Sequence, residues 1–132
     1  MITEMLMMCI VAAPTRLEKD QADFRAICMW ETRGKMNNDA HNKKEGARGI
    51  AQIRPIYLKD ANEWRKRMGL KPYSITDMHD PHKAFNAFRA YMAKYNFKTT
   101  EQRARGHNGG PKGPYRKSTL AYWAGVQTFL GK

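Results

Sequence analysis

Glu31 closes the apolar run Ala26-Ile-Cys-Met-Trp30 and stands before a turn-rich stretch that begins at Gly34. A carboxyl half-buried against aromatic surface loses solvation of its charged form, so its pKa rises. Held protonated near neutral pH, such a group can give its proton to a glycosidic oxygen. The competing reading is a solvated glutamate at the end of a helix, and residue type alone leaves both open.

Two further segments carry groups suited to a polar substrate. Gly46-Ala-Arg-Gly49-Ile-Ala-Gln52-Ile53 pairs small residues, which allow close approach of a ligand to backbone, with the hydrogen-bonding amide of Gln52. His107-Asn108-Gly109-Gly110-Pro111-Lys112-Gly113 is denser: three glycines and two planar polar side chains in seven residues describe a tight turn presenting donors and acceptors. A phosphate-cradling loop is the rival for this segment, but it lacks Walker spacing and a Ser or Thr after the lysine.

The elements that must position these groups read as helices. Leu17, Phe24, Ile27, Cys28 and Trp30 recur on one helical face after Pro14, and that helix ends between Glu31 and Gly34. Residues 34–49 are polar and turn-rich, which predicts a loop or a small irregular hairpin. Pro55 suits a first helical turn, with Ile56, Ala61, Trp64 and Met68 forming a stripe up to Gly69. Asp80-Pro81 caps and opens a helix carrying Ala84, Phe85, Phe88, Tyr91, Met92 and Tyr95. Thr99 or Thr100 caps a shorter helix through about Arg105, and Ser118 caps a last one holding Leu120, Trp123, Val126 and Leu130. The expected fold is mainly α, a compact helical domain over residues 1–132 with a small loop or β-hairpin region around residues 34–53.

At 132 residues, with 42% hydrophobic and 27% charged side chains, the chain has the balance of one folded domain. The formal charge of +12 points to an anionic polymer as partner: nucleic acid, an acidic membrane surface or a bacterial cell wall. Aromatic residues do interleave with bases in Lys112-Gly-Pro-Tyr115-Arg-Lys117, yet no helix-turn-helix, zinc or stacking-sheet signature accompanies the charge, which argues against nucleic acid. Cys9 and Cys28 allow at most one bridge, and no zinc-ligand spacing is present, so neither metal nor cofactor is expected. The nine apolar residues Met5–Ala13 are too short to span a bilayer. They read as a buried N-terminal helix over residues 1–14, or as a weak export signal in which Val11-Ala-Ala13 is the cleavage region.

His107-Asn-Gly-Gly-Pro-Lys-Gly113, followed by Ser118-Thr-Leu-Ala-Tyr-Trp123, resembles the C-terminal signature of the invertebrate-type lysozymes. Gln52-Ile53, Tyr57 and Asp60 are similar to that family's segment after its glycine-containing loop, and Tyr91-Met-Ala-Lys-Tyr95 to its central helix; the likeness covers roughly residues 26–127. A broader resemblance runs to the soluble lytic transglycosylases and goose-type lysozymes. Their Glu-Ser, Gly-x-x-Gln and Tyr-Asn-x-Gly motifs correspond in order to Glu31-Thr32, Gly49-Ile-Ala-Gln52 and His107-Asn108-Gly109-Gly110. The resemblance implies a lysozyme-like fold and cleavage of peptidoglycan strands, with Glu31 as general acid and Gln52, Tyr57, His107, Asn108 and Gly109 as substrate-binding residues.

Two departures shape what the resemblance implies. With two cysteines where the invertebrate-type enzymes are disulfide-rich, the chain looks like a microbial or phage relative that acts in the bacterial periplasm or wall as a monomer, without membrane insertion. The second carboxylate of those lysozymes falls near Asn42 or Lys43, leaving Asp39 and Glu45 as the nearest acids. A separation of about 5 Å from Glu31 implies a retaining hydrolase, and roughly 6.5 to 9.5 Å an inverting one. With neither in place, Glu31 acts alone, as acid and then base, while the sugar's own hydroxyl closes an anhydro ring. A wall-binding protein without activity is the remaining alternative.

Overall fold

The computed structural model describes residues 13–132, so the helix expected over residues 1–14 lies outside the described residues except for its last two positions. The order of elements is α1 (Arg16–Glu31), β1 (His41–Asn42), β2 (Ala47–Arg48), α2 (Pro55–Arg67), a 3-10 turn (Ile75–His79), α3 (Pro81–Lys94), α4 (Thr100–Gly109), 3-10 turns at Gly113–Tyr115 and Lys117–Thr119, and α5 (Leu120–Gln127). The mainly α class with one small hairpin is as the sequence indicates.

Local chemistry starts these helices where expected. Thr15 and Glu18 form a reciprocal capping box on α1, and Thr99 and Gln102 another on α4. At α3 the Asp80 carboxylate accepts the backbone N–H groups of His82 and Lys83 at 2.8 and 3.2 Å, and Pro81 occupies the first turn. Pro55 opens α2 in the same way.

Helix α3 is the centre of the body. Its Ala84, Ala87, Phe88 and Tyr91 are buried, and it packs against α1, α2 and α4. Phe88 joins Ile27, Ile53, Met78 and Val126 among the fully buried large side chains of one continuous core. A buried ion cluster ties the first half of α1 to α4: Arg103 Nη1 lies 2.9 Å from Asp20 and 2.7 Å from Asp23, and Thr100 donates to Asp23 at 2.8 Å. From α3, Arg89 donates to Asp20 at 3.1 Å. Removing one member would leave a buried charge uncompensated, which is far costlier than losing a surface pair.

Three expectations are corrected. His107, Asn108 and Gly109 form the last turn of α4 and not a loop; the turn begins at Gly110, whose φ of 83° ends the helix. Tertiary packing overrides poor helix propensity here, since Gly106 lies under the Phe97 ring and Gly109 under the Thr119 methyl, where no larger residue fits. Ser118 does not cap α5: it sits within a 3-10 turn that leads directly into the helix. That turn is fixed by Thr119, whose hydroxyl accepts from buried Arg105 at 2.8 Å and faces the Gly113 carbonyl at 2.7 Å. Leu130 lies beyond the end of α5 at Gln127.

The hairpin is short and its register is His41 opposite Arg48 and Asn42 opposite Ala47. Behind it the chain turns tightly from Gly49 to Gln52, closed by two Arg48–Ile53 backbone hydrogen bonds of 3.0 Å. Gly49 has φ of 79°, and a Cβ there would stand 1.9 Å from the Met78 carbonyl oxygen, so this turn docks backbone to backbone on the 3-10 turn before α3. Gly49→Ala is therefore expected to destabilise the protein by on the order of 3 kcal/mol or more, combining left-handed strain with a clash that no side-chain rotation relieves. Urea denaturation checks this, and a midpoint like that of the parent would contradict it.

Candidate functional site

Glu31 is the last residue of α1, with its side chain 20% exposed. The helix stops there because Thr32 turns its hydroxyl back to the Cys28 carbonyl at 2.8 Å and accepts the Met36 N–H at 2.8 Å. Helix α5 lies against this end of α1, for Gly125 allows the Trp30 ring to within what would be 2.3 Å of a Cβ. One turn earlier on α5, Tyr122 consequently reaches Glu31 and donates its hydroxyl proton to Oε2 at 2.8 Å.

Burial pushes the Glu31 carboxyl from its ordinary 4.5 up to about 7. The Tyr122 hydrogen bond and the positive charge of Arg54 oppose that rise, and the negative charge of Glu45 adds to it. Its position at the negative end of the α1 dipole also disfavours the anion. Tyr122, itself buried beside this carboxyl, is held far above its usual range and stays a donor.

The carboxyl looks into a crevice of about 190 Å³ lined by Glu31, Asn42, Glu45, Gln52, Arg54, His107 and Asn108. Asn42 and Glu45 come from the hairpin, where the Asn42 side-chain oxygen accepts the N–H groups of Lys44 and Glu45 at 3.1 and 3.3 Å and so shapes the turn. Gln52 has φ of 49°, and its amide donates to the Gly49 carbonyl at 2.9 Å. Arg54 bridges the two walls by donating to the Asn108 carbonyl at 3.1 Å.

His107 is almost wholly buried, with its two ring nitrogens occupied. Nε2 donates to the Ala51 carbonyl at 2.7 Å, which leaves Nδ1 to accept the Tyr57 hydroxyl at 3.0 Å. Burial lowers its pKa to about 4, against the Ala51 hydrogen bond and with the help of Arg54. The 3.7 Å approach of Nε2 to Glu31 is thus a contact with a neutral imidazole near neutral pH. Tyr57 is 4% exposed and stacks on Tyr91 with ring centroids 3.8 Å apart. It stands behind His107, away from the crevice lining.

Of the residues singled out in the sequence, Glu31, Glu45, Gln52, His107 and Asn108 share this crevice. Asp39 is exposed on the loop before the hairpin and is not part of the lining, and Gly109 is in the last turn of α4, also outside the lining. Tyr122 and Arg54 went unassigned in sequence. Arg54 was legible only in part: it stands two residues from Gln52, but the positive φ of Gln52 within the turn that brings both into one crevice was not readable from the sequence. Tyr122 was not, because it depends on how α5 crosses α1. Among the described residues no group of three or more His, Cys, Asp or Glu is placed to hold a metal ion.

A helical body, a small hairpin lobe and a buried glutamate at the helix end facing both define the class: the fold is lysozyme-like, and the sequence is similar to that of a lysozyme. It is similar to the lysozyme of Ostrea edulis, 38% identical over 84 residues that make up 60% of this chain and 57% of that protein. The match thus spans little more than half the length of this curated relative. It is also similar to a chain in the crystal structure of Aeromonas hydrophila PliI in complex with Meretrix lusoria lysozyme, with a TM-score of 0.69 and 26% identity over 84% of this chain and 90% of that one. No protein-family model matches the chain.

The raised Glu31 pKa has a direct thermodynamic signature. A carboxyl whose folded pKa exceeds its unfolded value favours the fold fully below about 4.5, and that contribution is lost as pH rises through about 7. Glu31→Gln should accordingly gain stability relative to the parent across this interval, by about 2–3 kcal/mol above it. Carboxyl carbon NMR should place the Glu31 titration near pH 7, and Tyr122→Phe, which deletes an opposing hydrogen bond, should move it higher still. A Glu31 signal that titrates near 4.5 contradicts both expectations.

Proposed function

We propose that this protein cuts the β-1,4 bond between N-acetylmuramic acid and N-acetylglucosamine in bacterial peptidoglycan, with Glu31 as general acid. The observation that carries the reading is a carboxyl held up to about 7 by burial in a crevice whose other walls are amide, guanidinium and imidazole groups and the Glu45 carboxylate. Such a carboxyl keeps a large protonated fraction near neutral pH and can transfer that proton to the departing glycosidic oxygen. Gln52, Asn108 and Arg54 offer hydrogen bonds to sugar hydroxyls and acetamido groups, while His107 and Tyr57 behind them fix the wall. Likeness to a named lysozyme supports the same reaction class. Action at the cell wall follows from the substrate, and among the described residues no helix is long and apolar enough to cross a membrane.

For the second half of the reaction, Glu45 is the candidate water-directing carboxylate because it lines the crevice. A second reading, intramolecular closure of a 1,6-anhydro ring, is favoured by Asn42 in the lining and by the exposed position of Asp39 outside it. In that route the C6 hydroxyl attacks C1 as the bond to the leaving oxygen breaks; Glu31 gives a proton to that oxygen and takes one from the hydroxyl. Hydrolysis instead adds water and leaves a reducing muramic acid end. The products differ by one water, which mass spectrometry of released muropeptides resolves.

Purified walls treated with the parent should clear and release glycan fragments, and Glu31→Gln should reduce release by about 10²–10⁴-fold. Rate against pH should fall as pH rises through about 7, when the acid loses its proton. Equal background release by parent and variant removes the enzymatic reading and leaves wall binding without cleavage. Glu45→Gln separates the two routes: it suppresses the hydrolytic product and leaves anhydro product unaffected.

A further inference from the structure

Beside the Glu31 crevice runs a second, wider groove of about 500 Å³, and the two share Glu31, Asn42 and Gln52. Its lining carries Arg33, Lys35, His41 and Lys43, and Glu31 is the single acid in it. Arg33, with φ of 54°, is turned out at the end of α1 with its guanidinium 5.2 Å from the centre of the Trp30 ring. His41 and Lys43 come from the hairpin, and Arg48 stands opposite His41 across the ladder. The positive field is sensed within the groove: His41 is held below its ordinary pKa, by desolvation first and then by Arg48, Lys43 and His79.

We propose that this groove is a subsite for the acidic peptide stem of the glycan, whose carboxylates Arg33, Lys35 and Lys43 attract, so that the protein selects stem-bearing strands over unsubstituted ones. The assignment rests on the glycan-cleaving reading above. Two features favour the stem over anionic polymers attached elsewhere on the wall. The groove opens from the crevice itself, so its ligand is carried within about one sugar of the bond at Glu31. Its cations are exposed side chains spread along a wide channel, which suits a flexible chain bearing separated carboxylates and gives salt-sensitive attraction.

The test uses Glu31→Gln as a silent background and calorimetric titration with three probes: a glycan tetrasaccharide bearing peptide stems, an N-acetylglucosamine tetrasaccharide, and the acidic stem peptide without sugar. Into this background Arg33→Ala, Lys35→Ala and Lys43→Ala are introduced together; all three residues are exposed, so the core is untouched. The triple change is expected to weaken the stem-bearing glycan about tenfold at low salt and progressively less as salt rises. The neutral tetrasaccharide should bind as before. Equal loss for both glycans, or loss for neither, overturns the subsite.

A glycerol-phosphate oligomer that displaces the stem peptide at lower concentration also overturns it, by assigning the groove to a wall phosphate polymer. The stem peptide separates this idea from the glycan reading. If the peptide and the stem-bearing glycan bind and are lost in the triple variant, while the neutral tetrasaccharide does not bind and the parent releases no glycan from walls, the subsite stands and the cleavage reading falls. If the peptide and the stem-bearing glycan bind parent and triple variant alike, the subsite falls, and cleavage is judged by glycan release alone.

Discussion

Desolvation of a single carboxyl governs the arrangement around it. Moving Glu31 from 4.5 to about 7 corresponds to about 3 kcal/mol of disfavour for its anion. Tyr122 and Arg54 each offset part of that cost, and neither removes it. Had Arg54 turned its charge fully onto Glu31, the pair would have become an ordinary ion pair with a low pKa. Arg54 instead donates to the Asn108 carbonyl, and the hydroxyl of Tyr122 is the donor on Glu31. A neutral donor offers the anion less than a full ion pair would, so the carboxyl stays well above its ordinary pKa.

Keeping that balance requires rigid walls, and the structure supplies them from both sides. Behind the crevice, Ala51 carbonyl, His107, Tyr57 and Tyr91 form a hydrogen-bonded and stacked series that runs from the Gly49 turn through α4 and α2 to α3. His107 is a positioning residue in this series: with its two nitrogens engaged and its pKa lowered to about 4, it fixes the spacing of the turn and helix that flank Glu31. At the opposite end of α1, the Asp20–Arg103–Asp23 cluster fixes where that helix lies against α4. The same helix is thus anchored by buried charge at one end and carries a buried acid at the other.

Much of this was legible in sequence because the signals were local. Capping residues at Asp80 and Thr99 and prolines at positions 55 and 81 set the helix starts, and their effect is complete within one turn. Glu31, Gln52 and the His107-Asn108 pair were readable as types in a pattern. What the sequence did not show were relations between distant segments. The last turn of α4 is helical because Gly106 and Gly109 admit Phe97 and Thr119, a packing fact that glycine content alone read as a loop. Tyr57 was read as facing substrate, yet its ring is committed to Tyr91 and its hydroxyl to His107. Tyr122 lies 91 residues from its partner Glu31, joined only by the crossing of α5 over α1.

The hairpin is short, and it supplies two residues of the crevice lining, Asn42 and Glu45. It has two residues in each strand, and its turn is shaped by Asn42 through bonds to Lys44 and Glu45. Asn42 therefore has two tasks, since it also lines the crevice. An aspartate there could accept the same turn hydrogen bonds while adding a second carboxylate facing the cleft. Asparagine keeps the turn and removes the charge. That neutral choice lowers the negative field on Glu31 relative to an aspartate, and it leaves Glu45 as the one other carboxylate in the lining. The same turn sends Lys43 into the neighbouring cationic groove and Glu45 into the crevice, so one short connection separates the half that holds the raised carboxyl of Glu31 from the half lined by cations.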